Sequence, residues 1–133
     1  MKKLLVVILI FVGLAILGSR ISGWQPGEKR SQSDSEEIAR KLTKLCQVQE
    51  QGASAIMGLR QNGERIAKIL STYENQNPAD TDTDVNKMIK RVILEAYEEP
   101  RFMTEEFKSR AITDYADKVF LRCLKEGRGK YGL

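Results

Sequence analysis

A long amphipathic pattern over residues 104–125 constrains this chain more than any other feature. Thr104 can cap a helix there, and Glu105 and Glu106 place negative charge in its first turn, where the helix dipole favours it. Cys123 lies on the apolar face of this helix. The apolar side chains recur at the three- and four-residue spacing of one helical face: Phe107, Ala111, Ile112, Tyr115, Ala116, Val119, Phe120, Cys123 and Leu124.

The only other cysteine, Cys46, falls on a second helical pattern. This pattern opens at Ser33, which together with Glu36 has the form of a capping box. It closes at the Asn62-Gly63 pair, a good helix stop. The sequence therefore predicts a second long helix that carries Cys46.

Two shorter amphipathic segments complete the set. Residues 64–73 and 84–97 each place apolar side chains on one side of a helix, and a polar loop separates them. Pro100 ends the second segment, because the residue before a proline avoids helical geometry. No stretch alternates convincingly enough to predict a strand. We therefore expect an all-α fold, a small helical bundle of about four helices with one disulfide, preceded by an N-terminal signal or anchor helix.

The first 24 residues have the form of an export signal. Two lysines, Lys2 and Lys3, precede an unbroken apolar run at residues 4–17, and small residues follow. The run is shorter than the roughly 17–25 residues of a membrane span. No Ala-x-Ala type of cleavage site follows it, so a cleaved signal peptide and a retained inner-membrane anchor through residues 4–24 both stay open. Either way the positive residues stay inside, and the body is expected to be periplasmic or secreted, or anchored to the inner membrane and facing the periplasm.

The rest of the chain divides by composition. Residues 25–33 contain turn formers and predict a flexible linker. Residues 34–126 are predicted to form the helical, disulfide-tied domain. Residues 127–133 are glycine-rich and basic, and we expect a disordered tail there.

An exported chain meets an oxidising compartment, in which disulfides persist. With two cysteines only one intramolecular pairing exists, and we predict a Cys46–Cys123 disulfide. Two separate buried thiols, or a bridge between two molecules, are the alternatives. The cysteines form no Cys-x-x-Cys unit, which argues against a redox-active pair.

Charge and composition exclude several classes of function. Three of the 22 basic residues (Lys2, Lys3 and Arg20) precede Gly23, which leaves 19 against 18 acidic residues in the rest of the chain. Nucleic-acid binders concentrate basic residues on one surface, so no nucleic-acid partner is predicted. The chain has no histidine, the commonest general base and metal ligand. No cofactor is predicted.

The alternating carboxylates at residues 80–84 resemble the opening of a calcium loop. Val85 stands where the glycine of an EF-hand loop belongs, and Arg91 stands where its last glutamate belongs. We therefore interpret this segment as a polar loop in which Asp82 or Thr83 caps the next helix, and no metal site is predicted.

Four glutamates surround Pro100 and would be the candidates for carboxylate chemistry of the glycosidase type. Glutamates at helix ends more commonly serve the helix dipole or solubility, and no catalytic residue is predicted. The four are Glu98, Glu99, Glu105 and Glu106.

Two loop segments are candidates for contact with a partner. Arg60 and Gln61 precede one turn, and Pro100, Arg101 and Phe102 form another. The alternative is structural, since an arginine at a helix end can bond the last carbonyl groups and Phe102 can pack beneath its turn.

These motifs carry a resemblance over residues 46–125. The order Cys46, then Arg60-Gln61-x-Gly63, then Ala96-Tyr97-x-x-Pro100-Arg101-Phe102, then Phe107, Arg110-Ala111-Ile112 and Cys123 resembles a group of small exported proteins of proteobacteria and their phages. The resemblance implies a secreted, helical body with one disulfide. It brings no catalytic residue.

We therefore expect a non-catalytic binding or structural protein of the cell envelope with an unknown protein partner. A regulator or inhibitor of a cell-envelope enzyme, lysis enzymes included, is the first alternative. A small carboxylate-dependent hydrolase is the second.

Overall fold

The computed structural model describes residues 31–76 and 83–133. These residues form four α-helices and no strand: α1 (Gln32–Gln61), α2 (Ile66–Gln76), α3 (Asp84–Glu98) and α4 (Glu105–Tyr131). The prediction of an all-α fold is confirmed for this part of the chain. The predicted signal or anchor helix and most of the predicted linker lie outside the described residues.

Hydroxyl side chains set the starts of three helices. Thr83 accepts a hydrogen bond from the backbone N–H of Asn86 at 3.3 Å, and Thr104 does the same for Phe107 at 3.5 Å. The predicted cap at Ser33 is wrong, because Ser31 caps α1 by accepting from the N–H of Asp34 at 3.2 Å. Starting two residues earlier adds about half a helical turn and leaves Asp34 in the first turn, where the dipole favours an acidic residue.

The C-terminal end of the chain is also helical. α4 continues to Tyr131, and Gly132 then takes a left-handed conformation (φ 64°) and donates its backbone N–H to the carbonyl of Arg128. The expected disordered tail at residues 127–133 is therefore wrong. The glycines of this segment suggested a frayed end. Gly127, however, lies against the Leu42 side chain of α1, and the absence of a Cβ atom there lets α4 pack closely on α1.

α1 and α4 form an antiparallel pair that runs the length of the bundle. Cys46 is bonded to Cys123 with an S–S distance of 2.06 Å, as predicted. Gly127 faces Leu42 on one side of this bond, and on the other side Gly58 faces Ile112. Residues later in α1 therefore contact residues earlier in α4, so the start of α1 and the end of α4 lie at the same end of the molecule. At 1.5 Å per residue, the 30 residues of α1 separate that end from the other by about 45 Å.

The buried side chains form two clusters. The larger draws on all four helices and holds Ala53, Ile56, Met57, Ile69, Tyr73, Ile89, Val92, Ile93, Ala96, Tyr115 and Val119. The smaller contains only Leu42, Cys46 and Cys123 as fully buried members, with Phe120, Leu124 and Tyr131 packed against them. The disulfide therefore joins the two long helices where apolar packing is thinnest.

α3 and α4 are joined by ion pairs between long side chains. Glu99 pairs with Lys118 at 2.9 Å, Glu95 pairs with Arg122, and Arg91 pairs with Glu126 at 3.0 Å. From one ion pair to the next, the residue number rises by four on one helix and falls by four on the other, which is the register of two antiparallel helices.

Glu95 is the central residue of this row. Its partial burial opposes ionisation, but hydrogen bonds from Arg122 and Arg91 outweigh burial and hold the pKa of Glu95 below its ordinary value. Folding therefore favours the carboxylate form. The resulting stabilisation is complete above the unfolded-state pKa of about 4.3 and is lost as the pH falls through the lower native-state pKa.

A Glu95→Gln substitution tests this role. We expect it to lower the free energy of unfolding by about 1–2 kcal/mol at pH 7, because two charge-assisted hydrogen bonds weaken. The difference from the wild type should shrink as the pH falls through the native-state pKa of Glu95, as measured by urea unfolding at a series of pH values. Glu98→Gln is the control, because Glu98 is exposed and forms no ion pair within residues 31–76 and 83–133. A Glu95 effect of equal size at pH 7 and pH 3 would contradict the assignment.

Two neighbouring glycines of α4 give a matched pair of substitutions. A Cβ atom at Gly127 would lie 2.2 Å from Cδ1 and 2.9 Å from Cδ2 of Leu42, whereas one at Gly129 would meet nothing within 4 Å. We expect Gly127→Ala to destabilise the fold by about 1–2 kcal/mol through overpacking. Gly129→Ala should stabilise it by about 0.5–1 kcal/mol, since alanine is the better helix former.

Urea unfolding of both variants measures these opposite shifts. Combining Gly127→Ala with Leu42→Ala should recover part of the loss, because the side chain that blocks the new methyl group is gone. Stabilisation by Gly127→Ala, equal to that by Gly129→Ala, would mean that α4 does not approach α1 closely at this point.

Candidate functional site

The end of the bundle at which α1 finishes and α4 begins brings all five sequence-predicted contact residues together. We call this end the tip. It consists of the turn at residues 60–65, the strap at residues 99–103 that links α3 to α4, and the first turns of α4. The start of α1 lies at the opposite end of the bundle.

Gln61 fixes the strap to the last turn of α1. Its Nε2 donates to the carbonyl oxygen of Pro100 at 2.8 Å, and its Oε1 accepts from the backbone N–H of Phe102 at 2.9 Å. Only 1% of Gln61 is exposed. One side-chain amide thus satisfies the main chain on both sides of Arg101. Gln61 therefore holds the strap in position from the buried side, and a partner cannot contact Gln61 directly.

Arg60 ties the same turn to the end of α3. Its Nη2 lies 3.4 Å from the carbonyl oxygen of Glu99, and its guanidinium carbon lies 5.2 Å from the centre of the Tyr97 ring. Tyr97 in turn donates its hydroxyl to the carbonyl oxygen of Glu64 at 2.6 Å. Nε of Arg60 is buried and has no hydrogen-bond partner in the described structure. The guanidinium is thus held in place while part of its donor capacity stays unused.

Arg101 is exposed and lies against Gly63. A Cβ atom added at Gly63 would be 3.1 Å from Nη2 of Arg101, and Gly63 has a φ of 86°. Both the left-handed backbone and the nearness of the guanidinium favour glycine at this position. The turn and the strap therefore present Arg101 in a defined place.

A groove of about 210 Å³ runs between the strap and α4. The Phe102 and Phe107 rings lie 5.9 Å apart along it, and the Arg110 guanidinium carbon lies 5.8 Å from the Phe107 ring centre. Phe107 is 48% exposed and the adjacent Met103 is 87% exposed, so apolar surface is open to a partner here. The lining residues are Glu99, Pro100, Phe102, Phe107, Arg110, Ala111, Asp114, Tyr115 and Lys118.

The four glutamates considered for carboxylate chemistry lie around this end of the molecule. Glu99 pairs with Lys118 at 2.9 Å, Glu105 with Lys108 at 2.7 Å, and Glu106 with Arg110 at 3.5 Å. Glu98 is exposed. This arrangement pairs three of the four with a cation. Across residues 31–76 and 83–133, no group of three or more metal-ligating side chains could hold an ion.

Sequence reasoning missed two residues of the tip. Phe107 fits the apolar face of α4 by its spacing, yet it is half exposed, because it is in the first turn of α4, where it packs against Phe102 of the strap. Met103 stands directly before the Thr104 cap. The sequence shows three large apolar residues between Pro100 and the second turn of α4, namely Phe102, Met103 and Phe107, but their spacing does not show which of them are exposed.

Among the described helices none is long and apolar enough to cross a membrane, and the apolar run at residues 4–17 lies outside them. Comparison of the chain with protein-family models, with curated proteins and with solved structures finds no match.

Proposed function

We propose that this chain is an exported, non-catalytic binding or structural protein of the bacterial cell envelope, which holds a protein partner at the tip. One observation carries the proposal. The antiparallel α1–α4 pair separates the tip from Ser31, the residue that caps the start of α1, by about 45 Å. If residues 4–24 are retained in the inner membrane, this length lets the tip reach a partner that lies away from the bilayer.

The make-up of the tip supports the same proposal. A partly apolar groove with aromatic walls and a charged rim has the composition of a protein-contact surface, in which aromatic residues, methionine and arginine are enriched. Gln61 fixes the strap before any partner arrives, which lowers the ordering cost of binding. The Cys46–Cys123 disulfide agrees with export, because such bonds persist in oxidising compartments.

Export is tested by fractionation combined with thiol trapping of the full chain in a Gram-negative host. We expect the protein in the envelope or periplasmic fraction, with neither cysteine open to alkylation until a reductant is added. Recovery in the cytosol with both thiols reactive would overturn the proposal.

Partner binding is tested by photo-crosslinking in the same host. A benzoylphenylalanine placed at Met103 should give a discrete crosslinked envelope protein, because this side chain is 87% exposed at the tip. The same probe at Lys125, exposed near the other end of α4, is the matched control and should not give that product. Identical products from both positions would show that the tip is not the contact surface.

A further inference from the structure

Three arginines at the tip differ from the cations around them. Arg60, Arg65 and Arg101 form no ion pair within the described part of the chain, although the surrounding cations do. The three lie on the turn at residues 60–65 and on the strap that Gln61 fastens to it. The paired cations nearby are Lys68, Lys108, Arg110 and Lys118.

Two of these arginines are already ordered. Arg60 is held by the Tyr97 ring and the Glu99 carbonyl, and its buried Nε has no hydrogen-bond partner among the residues that the structure describes. The main chain on either side of Arg101 is bonded to Gln61, and its guanidinium lies against Gly63. A planar guanidinium binds carboxylates in a bidentate manner, and prior ordering reduces the entropy lost on binding.

The strap places apolar surface next to this cationic surface. Phe102 follows Arg101 directly and lines the groove, with Phe107 5.9 Å away from ring centre to ring centre. A segment that crosses the strap therefore meets guanidinium groups and aromatic rings within one or two residues. The complementary segment carries carboxylates beside an apolar side chain.

The charges of the same end also favour a peptide over an anionic bilayer. Glu98, Glu105 and Glu106 are exposed there, and a flat negative surface would meet them together with the arginines. A single chain can follow the arginines and the groove without covering these glutamates.

From this arrangement we infer that the tip docks an acidic segment of the partner protein. Carboxylates of the segment pair with Arg60, Arg65 and Arg101, and a neighbouring apolar side chain enters the groove between Phe102 and Phe107. The inference rests on the proposed function and specifies the chemistry of its partner.

A labelled synthetic peptide in which glutamates flank a phenylalanine is the probe, and the same peptide with glutamines is its control. We measure binding to the full, oxidised chain by fluorescence anisotropy. The glutamate peptide should bind at least tenfold more tightly than the glutamine peptide at low salt, and the difference should shrink as salt screens the charges. Equal binding of the two peptides, or no binding of either, would overturn the inference.

Single substitutions locate the contact. Arg65→Gln and Arg101→Gln should each weaken binding of the glutamate peptide about tenfold, the size expected for loss of one hydrogen-bonded charge pair. The Arg65 side chain forms no hydrogen bond, ion pair or ring contact within the described residues, and only its backbone carbonyl accepts hydrogen bonds, from the N–H groups of Lys68 and Ile69. Its replacement should therefore leave the helices intact. Arg128→Gln, near the opposite end of α4, is the matched control and should bind as the wild type does. Unchanged affinity in both tip variants would overturn the inference.

Two further outcomes separate this inference from the proposed function. If Arg101→Gln still gives the Met103 crosslink in full yield, the acidic-segment inference falls while the binding function stands. If phosphatidylglycerol vesicles compete with the peptide and Arg101→Gln abolishes their binding, the tip recognises anionic lipid and the inference is also overturned.

Discussion

Replacing Cys46 and Cys123 together with alanine is expected to lower the free energy of unfolding by about 4 kcal/mol. The bond closes a loop with a sequence separation of 77 residues, so its loss gives the unfolded chain much more freedom. Urea unfolding of the oxidised wild type and of the double variant measures the difference. The double variant should unfold at a lower urea concentration, and its free energy of unfolding should depend more steeply on urea concentration, since an uncrosslinked unfolded chain exposes more surface.

The reduced wild type is the control for this experiment, because it keeps both side chains and lacks only the bond. It should lie close to the alanine variant. Hydrogen exchange should show the first loss of protection in residues 38–46 and 123–131, where the smaller buried cluster has little packing besides the two sulfurs. Uniform loss across all four helices would contradict this local role of the disulfide.

Gln61→Leu should cost about 2–4 kcal/mol, the second large effect we expect. The substitution keeps a similar volume but leaves the carbonyl of Pro100 and the N–H of Phe102 without their partner, and each unsatisfied buried group costs about 1–3 kcal/mol. If the strap moves outward, water can bond to these two groups, so we expect a cost below the full penalty for both. Thermal or urea unfolding gives the value.

The matched control is Gln47→Leu, an exposed glutamine on the same helix, which should change stability by less than about 0.5 kcal/mol. A released strap should also separate Phe102 from Phe107 and weaken binding of the glutamate peptide. If Gln61→Leu were as stable as the wild type, the amide would not be what fastens the strap to α1.

The four helices could be predicted from the sequence because apolar spacing is a local property. The disulfide was predictable for a different reason, since two cysteines on two helical faces allow only one internal pairing. Helix ends were harder to place. Ser31 and Ser33 are each followed by an acidic residue three positions later, so both fit a cap equally well. Gly127 suggested a frayed tail, because its contact with Leu42 depends on how α1 and α4 pack.

The candidate site was predicted as two separate loops. The sequence identified Arg60, Gln61 and the segment around Arg101, but nothing local shows that a glutamine in the last turn of one helix will bond both sides of a residue about 40 positions later. The exposure of Phe107 was equally out of reach. Spacing assigns a residue to a face of its helix, whereas exposure depends on which neighbours cover that face.

The antiparallel pairing of α1 and α4 has a mechanical consequence. Under the proposed function, with residues 4–24 retained in the membrane, a partner that pulls on the strap would load α1 along its axis, because the strap is fastened to the last turn of α1 and the N-terminal segment precedes its first turn. The cystine bond passes part of that tension to α4, so the two helices stretch as one element. Reduction would then change how far the molecule extends under force, even where it leaves the affinity of the tip unchanged.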